Sequence, residues 1–278
     1  MGNPPSGRID IDTGFCEVLR DDTGYLLKIN GVESSHVHDD PRVLEFEYMR
    51  WFAELIDERL IDAPQGSSLR ALHLGGAACT MARYLADAYP QARQVAVEID
   101  GTLADSVREW FDLPRSPSLR IRVGDAREIT ESLSPDSRDV VLRDVFDGMF
   151  TPARMTTVEF VAAVRRVLAA DGIYIVNCGD SPDLRVARGE AATIGDAFAN
   201  LAIIADSAML KGRRRGNIVI AGSDAPMGRS PLIARNLLGG STPARLLLDE
   251  EARAFAKSAA PVRDAELRAG AARHHLPG

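Results

Sequence analysis

Leu69-Arg-Ala-Leu-His-Leu-Gly-Gly-Ala-Ala-Cys-Thr-Met-Ala-Arg-Tyr-Leu85 is the stretch from which the fold is read. Its apolar run, Leu69 to Leu74, breaks at Gly75-Gly76, and a helix-period pattern takes over from Thr80. Strand, tight glycine turn, helix is the arrangement that turns backbone N–H groups and a helix N-terminus toward a ligand. About twenty residues further on, Val95-Ala-Val-Glu98 ends in a carboxylate, at the spacing where a ribose diol is held. A Gly-Gly turn alone is a weak signal, so the flanking chain has to decide what it serves.

Downstream the chain alternates strand and helix. Strands are expected at Leu69–Leu74, Gln94–Glu98, Leu119–Val123, Arg138–Asp144 and Gly172–Asn177. Helices are expected from Thr80, over Thr102–Phe111, over Thr157–Ala170 and near Asp183–Asn200. This rhythm means a doubly wound, mostly parallel sheet covered on both faces. The end differs. Leu201–Asp206 and Asn217–Ala221 are joined by the compact tip Lys211-Gly-Arg-Arg-Arg-Gly216, which leaves no room for a crossover helix, so the two must pair antiparallel. A parallel sheet closed by an antiparallel hairpin resembles the S-adenosylmethionine-type transferases rather than nicotinamide dehydrogenases. The fold class is therefore α/β, a class I methyltransferase-like Rossmann sheet.

Upstream, Arg8 to Val37 reads as a small β unit, with turn signals at Asp21-Asp-Thr-Gly24 and Asn30-Gly31. Asp40 followed by Pro41 reads as a helix start, and the helix to Leu60 puts Leu44, Trp51, Phe52, Leu55 and Ile56 on one side. Pro64–Ser68 is a loop. The organisation is a β unit over 1–40, a connecting helix and loop over 41–68, the Rossmann-like domain over 69–223, and a C-terminal extension over 224–278. That extension is Pro-, Gly- and Ala-rich, with a helix expected at Asp249–Ser258 and a loosely ordered end from Ala259.

Composition narrows the function classes. The 33 basic and 40 acidic residues leave a net charge of −7, which argues against non-specific nucleic-acid binding. There is no apolar run of roughly 18 residues for a membrane span, and Met1 to Arg8 has no signal-peptide core. Cys16, Cys79 and Cys178 are widely spaced, which fits a reducing cytoplasm and makes neither a disulfide framework nor a zinc site.

In an open α/β sheet, ligands bind outside the carboxyl ends of the strands. Those ends carry Gly75-Gly76, Glu98-Ile-Asp100, Gly124-Asp125-Ala126 and Arg143-Asp144-Val-Phe-Asp147. The turn admits close backbone approach, and Glu98 can accept two ribose hydroxyls. Asp125 can accept from an adenine amino group or simply cap a helix, and Asp144 lies where a transferred group would react.

With these residues in view, Tyr25 to Ser223 resembles the spermidine synthase (polyamine aminopropyltransferase) family, as a divergent member. The matching residues are Leu74-Gly-Gly, Val97-Glu-Ile-Asp100, Arg122-Val-Gly-Asp125, Asp139-Val-Val-Leu-Arg-Asp-Val-Phe-Asp147, Phe160 to Ile173 and Arg214-Arg-Gly-Asn-Ile-Val. The resemblance implies cofactor contacts from Gly75, Gly76, Ala77, Glu98, Ile99, Asp125, Ala126, Asp144 and Val145. It puts the catalytic base at Asp144 and substrate contacts at Asp147 and Tyr48. It implies decarboxylated S-adenosylmethionine, or S-adenosylmethionine, as co-substrate, a small-molecule amine as acceptor, no metal, and a homodimer. Paired acids suit this chemistry, because a cationic amine needs one carboxylate to hold it and another to take its proton. The chain also departs from the pattern. The glycine-loop aspartate is replaced by Ala78, two serines by Val145-Phe146, and a diamine-binding glutamate by Tyr48.

Other residues have plainer readings. His36, His38 and Asp40 could hold a divalent ion, but a loop or substrate-gate role is preferred because no further ligand is visible. Cys79 near a helix N-terminus would have a lowered thiol pKa, with small-residue packing the preferred role. Lys211–Arg215 reads as a solvated hairpin tip, and His73 as a packed core histidine. The expected function is aminopropyl transfer to an amine. The alternatives are an S-adenosylmethionine-dependent methyltransferase and a non-catalytic module that binds an adenosyl ligand.

Overall fold

The computed structural model describes residues 4–5, 7–60, 68–240, 242–257 and 259–267. The chain opens with a four-stranded antiparallel meander, β1 (Gly7–Ile11), β2 (Gly14–Arg20), β3 (Gly24–Ile29) and β4 (Val32–His38). Its turns are made by the residues that signalled them. Asp21 Oδ1 accepts the Thr23 and Gly24 N–H groups, while Asn30 and Gly31 both adopt positive φ, 50° and 82°, as a tight hairpin requires. Alternate residues Cys16 and Val18 share the buried face with Leu27 and Val37.

Helix α1 (Glu47–Leu60) starts later than its Asp40-Pro41 signal. Asp40 does accept the Arg42 and Val43 N–H groups, but only as a single turn. The carbonyls of Leu44 and Glu45 are held instead by the Arg50 guanidinium, at 2.6 Å each, so they are turned away from the ladder a helix would need. The side-chain fork wins over the backbone bond.

The large sheet holds β5 (Arg70–Leu74), β6 (Arg93–Glu98), β7 (Leu119–Val123), β8 (Arg138–Arg143), β9 (Leu168–Asp180), β10 (Asn200–Asp206), β11 (Gly216–Ser223) and β12 (Ala244–Leu248). Between them run α2 (Thr80–Ala88), α3 (Gly101–Trp110), α4 (Ala126–Ser132), α5 (Val158–Val167), α6 (Arg185–Ala197), α7 (Ser207–Leu210) and α8 (Pro231–Gly239), and α9 (Asp249–Ala256) follows. The strand order is β12-β10-β11-β9-β8-β5-β6-β7. Pairings from β7 across to β9 are parallel, and those joining β9, β11, β10 and β12 are antiparallel. This is an α/β, methyltransferase-like Rossmann sheet with a separate small β sheet before it.

Period-two burial splits the core into layers. Leu72, Leu74 and Val141 face Phe160, Val164 and Ile194 of α5 and α6. Ala71, Val140 and Leu142 face Tyr48, Met49, Phe52 and Ile56 of α1, Met81 and Leu85 of α2, and Ile233 and Leu237 of α8. The β1–β4 meander closes the third layer on Leu103 and Val107 of α3. Asp12 accepts the Gly101 and Thr102 N–H groups at the start of α3, and Asp100 Oδ2 accepts both the backbone N–H and hydroxyl of Thr13.

The far end differs from expectation. Leu246 pairs with Ile204, so β12 carries the sheet beyond residue 223, and α8 was not expected either. Residues 259–267 are not loose. Val262 donates to the Thr193 hydroxyl and accepts from the Val158 N–H, and Asp264 pairs with Arg127 at 2.6 Å. Most of the Pro64–Ser68 loop, His274 and His275 lie outside the described residues.

Candidate functional site

The carboxyl ends of β5, β6, β8 and β9 open into a cavity of about 870 Å³, closed on one side by α1 and on another by residues 145–150. Every site residue expected from the sequence lines this one cavity: Gly75, Gly76, Ala77, Glu98, Ile99, Asp125, Ala126, Asp144, Val145, Asp147 and Tyr48.

The glycine turn exists because the β8 backbone comes close to β5 at this point, with the Asp144 N–H still bonded to Leu74 O. Gly75 sits at φ +90°, donates to Val97 O, and a Cβ there would lie 2.2 Å from Asp144 O. Only glycine fits. A Cβ on Gly76 would be 3.3 Å from Cβ of Glu98, so the turn lies flat against that side chain. Ala77 and Cys79 also take positive φ, 37° and 58°, a backbone strain the loop holds next to the cavity.

Glu98 reaches across to this loop. Its Oε2 accepts the Ala77 N–H at 2.8 Å and its Oε1 the Asp100 N–H at 3.1 Å, which leaves each oxygen a further lone pair. Burial raises its pKa above the ordinary carboxylate value, against the pull of those backbone bonds. Ile99, beside it, is 60% exposed and gives the cavity an apolar surface.

Asp125 is the N-cap of α4. Oδ1 accepts the Arg127 and Glu128 N–H groups, Oδ2 pairs with Arg154, and the Arg154 bond holds its pKa below the usual range. Both oxygens are therefore engaged within the protein.

Asp144 follows β8 directly and is half-buried. Arg143 lies opposite Val176 in the β8–β9 register, so Asp144, just past the end of β8, stands beside Asn177, which is still within β9. Asp144 Oδ1 accepts from Asn177 Nδ2 at 3.0 Å and Oδ2 from the Tyr48 hydroxyl at 2.8 Å. Burial pushes its pKa up, while the bonds from Asn177 and Tyr48 pull it down. Tyr48 itself is held neutral, its pKa driven well above 10 by burial and by Asp144. Beneath them Arg143, fully buried, pairs with Glu190 at 2.6 Å and donates to Asn177 O at 3.3 Å. Asp147 is exposed at the mouth, where its backbone pairs with Phe150. Ala78 lies in the apolar cluster with Val37 and Leu103.

The remaining candidates fall outside this arrangement or on its wall. His36 Nε2 sits 2.8 Å from Asp21, and His38 Nδ1 accepts the Asp40 N–H. Among the described residues no group of three or more His, Cys, Asp and Glu could hold a metal. Cys79 reverses its expectation: burial first, then Glu98, pushes its thiol up to about 12, so desolvation outweighs the helix N-terminus. The basic tip is exposed as expected, with Arg214 paired to Asp206, but Arg215 lines the cavity and meets Met149 Sδ at 3.5 Å. Asn177 and Arg215 were missed because neither a neutral amide ending an apolar strand nor one arginine among several carries a signal of its own.

No family model matches the chain. A probable spermidine synthase from Corynebacterium glutamicum, of known structure, is 47% identical, with a TM-score of 0.90 over 94% of this chain and 97% of that one. The polyamine aminopropyltransferase of Vibrio vulnificus is 28% identical over 42% of this chain and 40% of its own length. The eEF1A lysine and N-terminal methyltransferase of Mus musculus is 29% identical over 43% of this chain and 18% of its own length. The chain thus spans less than half the length of these two curated relatives, whereas it matches the Corynebacterium structure almost end to end. By that full-length match the chain belongs to the spermidine synthase (polyamine aminopropyltransferase) family.

Proposed function

We propose that the protein transfers an aminopropyl group from decarboxylated S-adenosylmethionine to an amine acceptor, with Asp144 as the base. The observation that carries this is the half-buried Asp144 carboxylate, held by Tyr48 and Asn177 at the switch point beside the Gly75 turn. In the reaction the acceptor nitrogen forms a bond to the carbon next to the sulfonium, the carbon–sulfur bond breaks, and methylthioadenosine leaves. The nitrogen's proton passes to Asp144, whose raised pKa suits a proton acceptor. Much of the rate comes from holding donor and acceptor in line, since the sulfonium is already a good leaving group.

The other residues divide the substrate. Gly75, Gly76 and Ala77 admit close approach, the spare lone pairs of Glu98 accept ribose hydroxyls, and Ile99, Ala126 and Val145 pack on the nucleoside. Asp125 reaches the adenine amino group only through the oxygen it shares with Arg154. Asp147 meets the cationic acceptor at the mouth, and Tyr48 lies beside its reacting nitrogen. The reading extends to a cytoplasmic homodimer. Cys16, Cys79 and Cys178, all free thiols, accord with a reducing compartment, and sedimentation measures the mass.

Asp144→Asn tests the role of the base. Transfer falls by about 10²–10⁴-fold while calorimetric binding of methylthioadenosine is retained; turnover near the original rate in this variant overturns the mechanism. A second reading is favoured by Ala78, whose apolar burial removes an acid that would select a decarboxylated tail. It is methyl transfer from S-adenosylmethionine. The nucleoside product separates the two, methylthioadenosine for the first and S-adenosylhomocysteine for the second.

A further inference from the structure

His73 lies in a buried run of the sheet, 5% exposed between Leu72 and Leu74, and also lines the cavity. It shares a sheet face with Ala71 and stands opposite Leu142 of β8, the face covered by α1 and α2. Phe46, Tyr48 and Phe52 of the α1 wall line the same cavity, with Tyr48 and Phe52 meeting edge to face at 5.7 Å between centroids.

Its protonation pattern follows from its neighbours. Gln94 Nε2 donates to Ala82 O at 3.0 Å, and a carbonyl can only accept, so the Gln94 amide oxygen must face His73. That oxygen lies 2.9 Å from His73 Nε2, which therefore carries the hydrogen. Nδ1 is left as a bare lone pair, and it has no partner among the described residues.

We infer that His73 is a ligand-binding residue, whose Nδ1 accepts a hydrogen bond from a protonated primary amine at the inner wall of the cavity. The inference rests on the aminopropyl-transfer reading, and it supplies what that reading lacks. Ala78 and Tyr48 stand where acids that grip ammonium groups were expected. A neutral acceptor in a cavity that aromatic rings also line can hold an ammonium by a charge-assisted bond and by the ring quadrupoles, without a second carboxylate. The same lone pair repels a carboxylate. Only a protonated imidazole would attract one, and burial keeps His73 neutral down to about pH 4. The amine has two possible sources: the free end of the donor's aminopropyl chain, or the end of the acceptor remote from the reacting nitrogen.

The test is calorimetry on the whole chain with three probes. These are decarboxylated S-adenosylmethionine, methylthioadenosine (the same nucleoside and sulfur without the amine), and diaminobutane added to the methylthioadenosine complex. His73→Gln keeps a donor toward Gln94 but has no acceptor at the Nδ1 position, whereas His73→Asn restores one. The Gln variant is expected to bind one amine probe roughly tenfold more weakly, with methylthioadenosine unchanged and the Asn variant near the original affinity. Loss with the first probe assigns the donor's amine, and loss with the third the acceptor's. Unchanged affinity for both amine probes, or a parallel loss for methylthioadenosine, overturns the inference. Should the Gln variant not fold, the unaltered protein with nitrogen-labelled histidine decides. The Nδ1 resonance of His73 must move on adding an amine probe and stay on adding methylthioadenosine alone; the opposite result overturns the assignment. An unaltered protein that binds amines through His73 but forms no methylthioadenosine from the donor overturns the transfer reading and leaves this one standing.

Discussion

Asp144 is where single residues decide most. Its two hydrogen bonds work against its burial, so removing either one lets burial raise its pKa further. Tyr48→Phe should therefore move the acid limb of the kcat/KM profile to higher pH and lower the rate about tenfold or more; an unmoved limb means the hydroxyl does not act on the base. The same carboxylate weakens the fold. Because its pKa is raised in the folded state, its stabilising contribution is present below the ordinary value of 3.8 and is lost as pH rises through the folded value. At neutral pH Asp144→Asn should raise the melting temperature, by roughly 2–4 °C if the relief is about 1 kcal/mol, and a lower melting temperature contradicts this. Asp144 was legible in the sequence because an acid after an apolar strand stands out. Asn177 was not, since its meaning comes from β9 lying in register beside β8. The capping role of Asp125 was legible only as one of two readings, until Arg154, twenty-nine residues on, took its second oxygen.

At the scale of elements, the close approach of β5 and β8 and the docking of the meander define the cavity walls. Gly75→Ala places a Cβ against the Asp144 carbonyl in a left-handed backbone, and is expected to destabilise by about 3 kcal/mol or more, as a clash with backbone does. Chemical denaturation measures it. Asp100 caps α3 through Leu103 and holds Thr13 of the meander, so Asp100→Ala should cost about 2–3 kcal/mol and expose β1–β4 to protease. Resistance equal to the unaltered chain would show that the apolar layer alone docks the meander. The alternation of strand and helix over 69–223 was readable because each strand is an apolar run bounded by turn residues. The start of α1 was not, as the Arg50 fork that displaces it has no local pattern. Nor was β12, a five-residue strand in a Pro- and Gly-rich context whose pairing partner lies some forty residues earlier.

Across the whole molecule, the Arg143–Glu190 pair ties the end of β8 to α6 beneath the site, with both side chains almost wholly buried. Breaking one side of such a pair leaves a charge in an apolar interior. Glu190→Leu alone should cost about 3–5 kcal/mol, while the double replacement Arg143→Met with Glu190→Leu recovers most of it. Denaturation of all three proteins tests this, and equal stability of the single and double variants contradicts it. The α1 wall is fastened from further away still. Glu58 accepts the N–H groups of Gly228 and Ser230, Glu54 accepts from Asn236, and α8 packs its Ile233 and Leu237 into the cluster that holds Tyr48. A ribosome delivers Glu98 and Asp144 long before it delivers Gly228. In the proposed reaction the nucleoside wall is thus built from residues up to Val145, whereas the amine-facing wall depends on residues that follow much later in the chain. A change in α8 is therefore expected to reach the amine-facing wall while leaving the nucleoside wall in place.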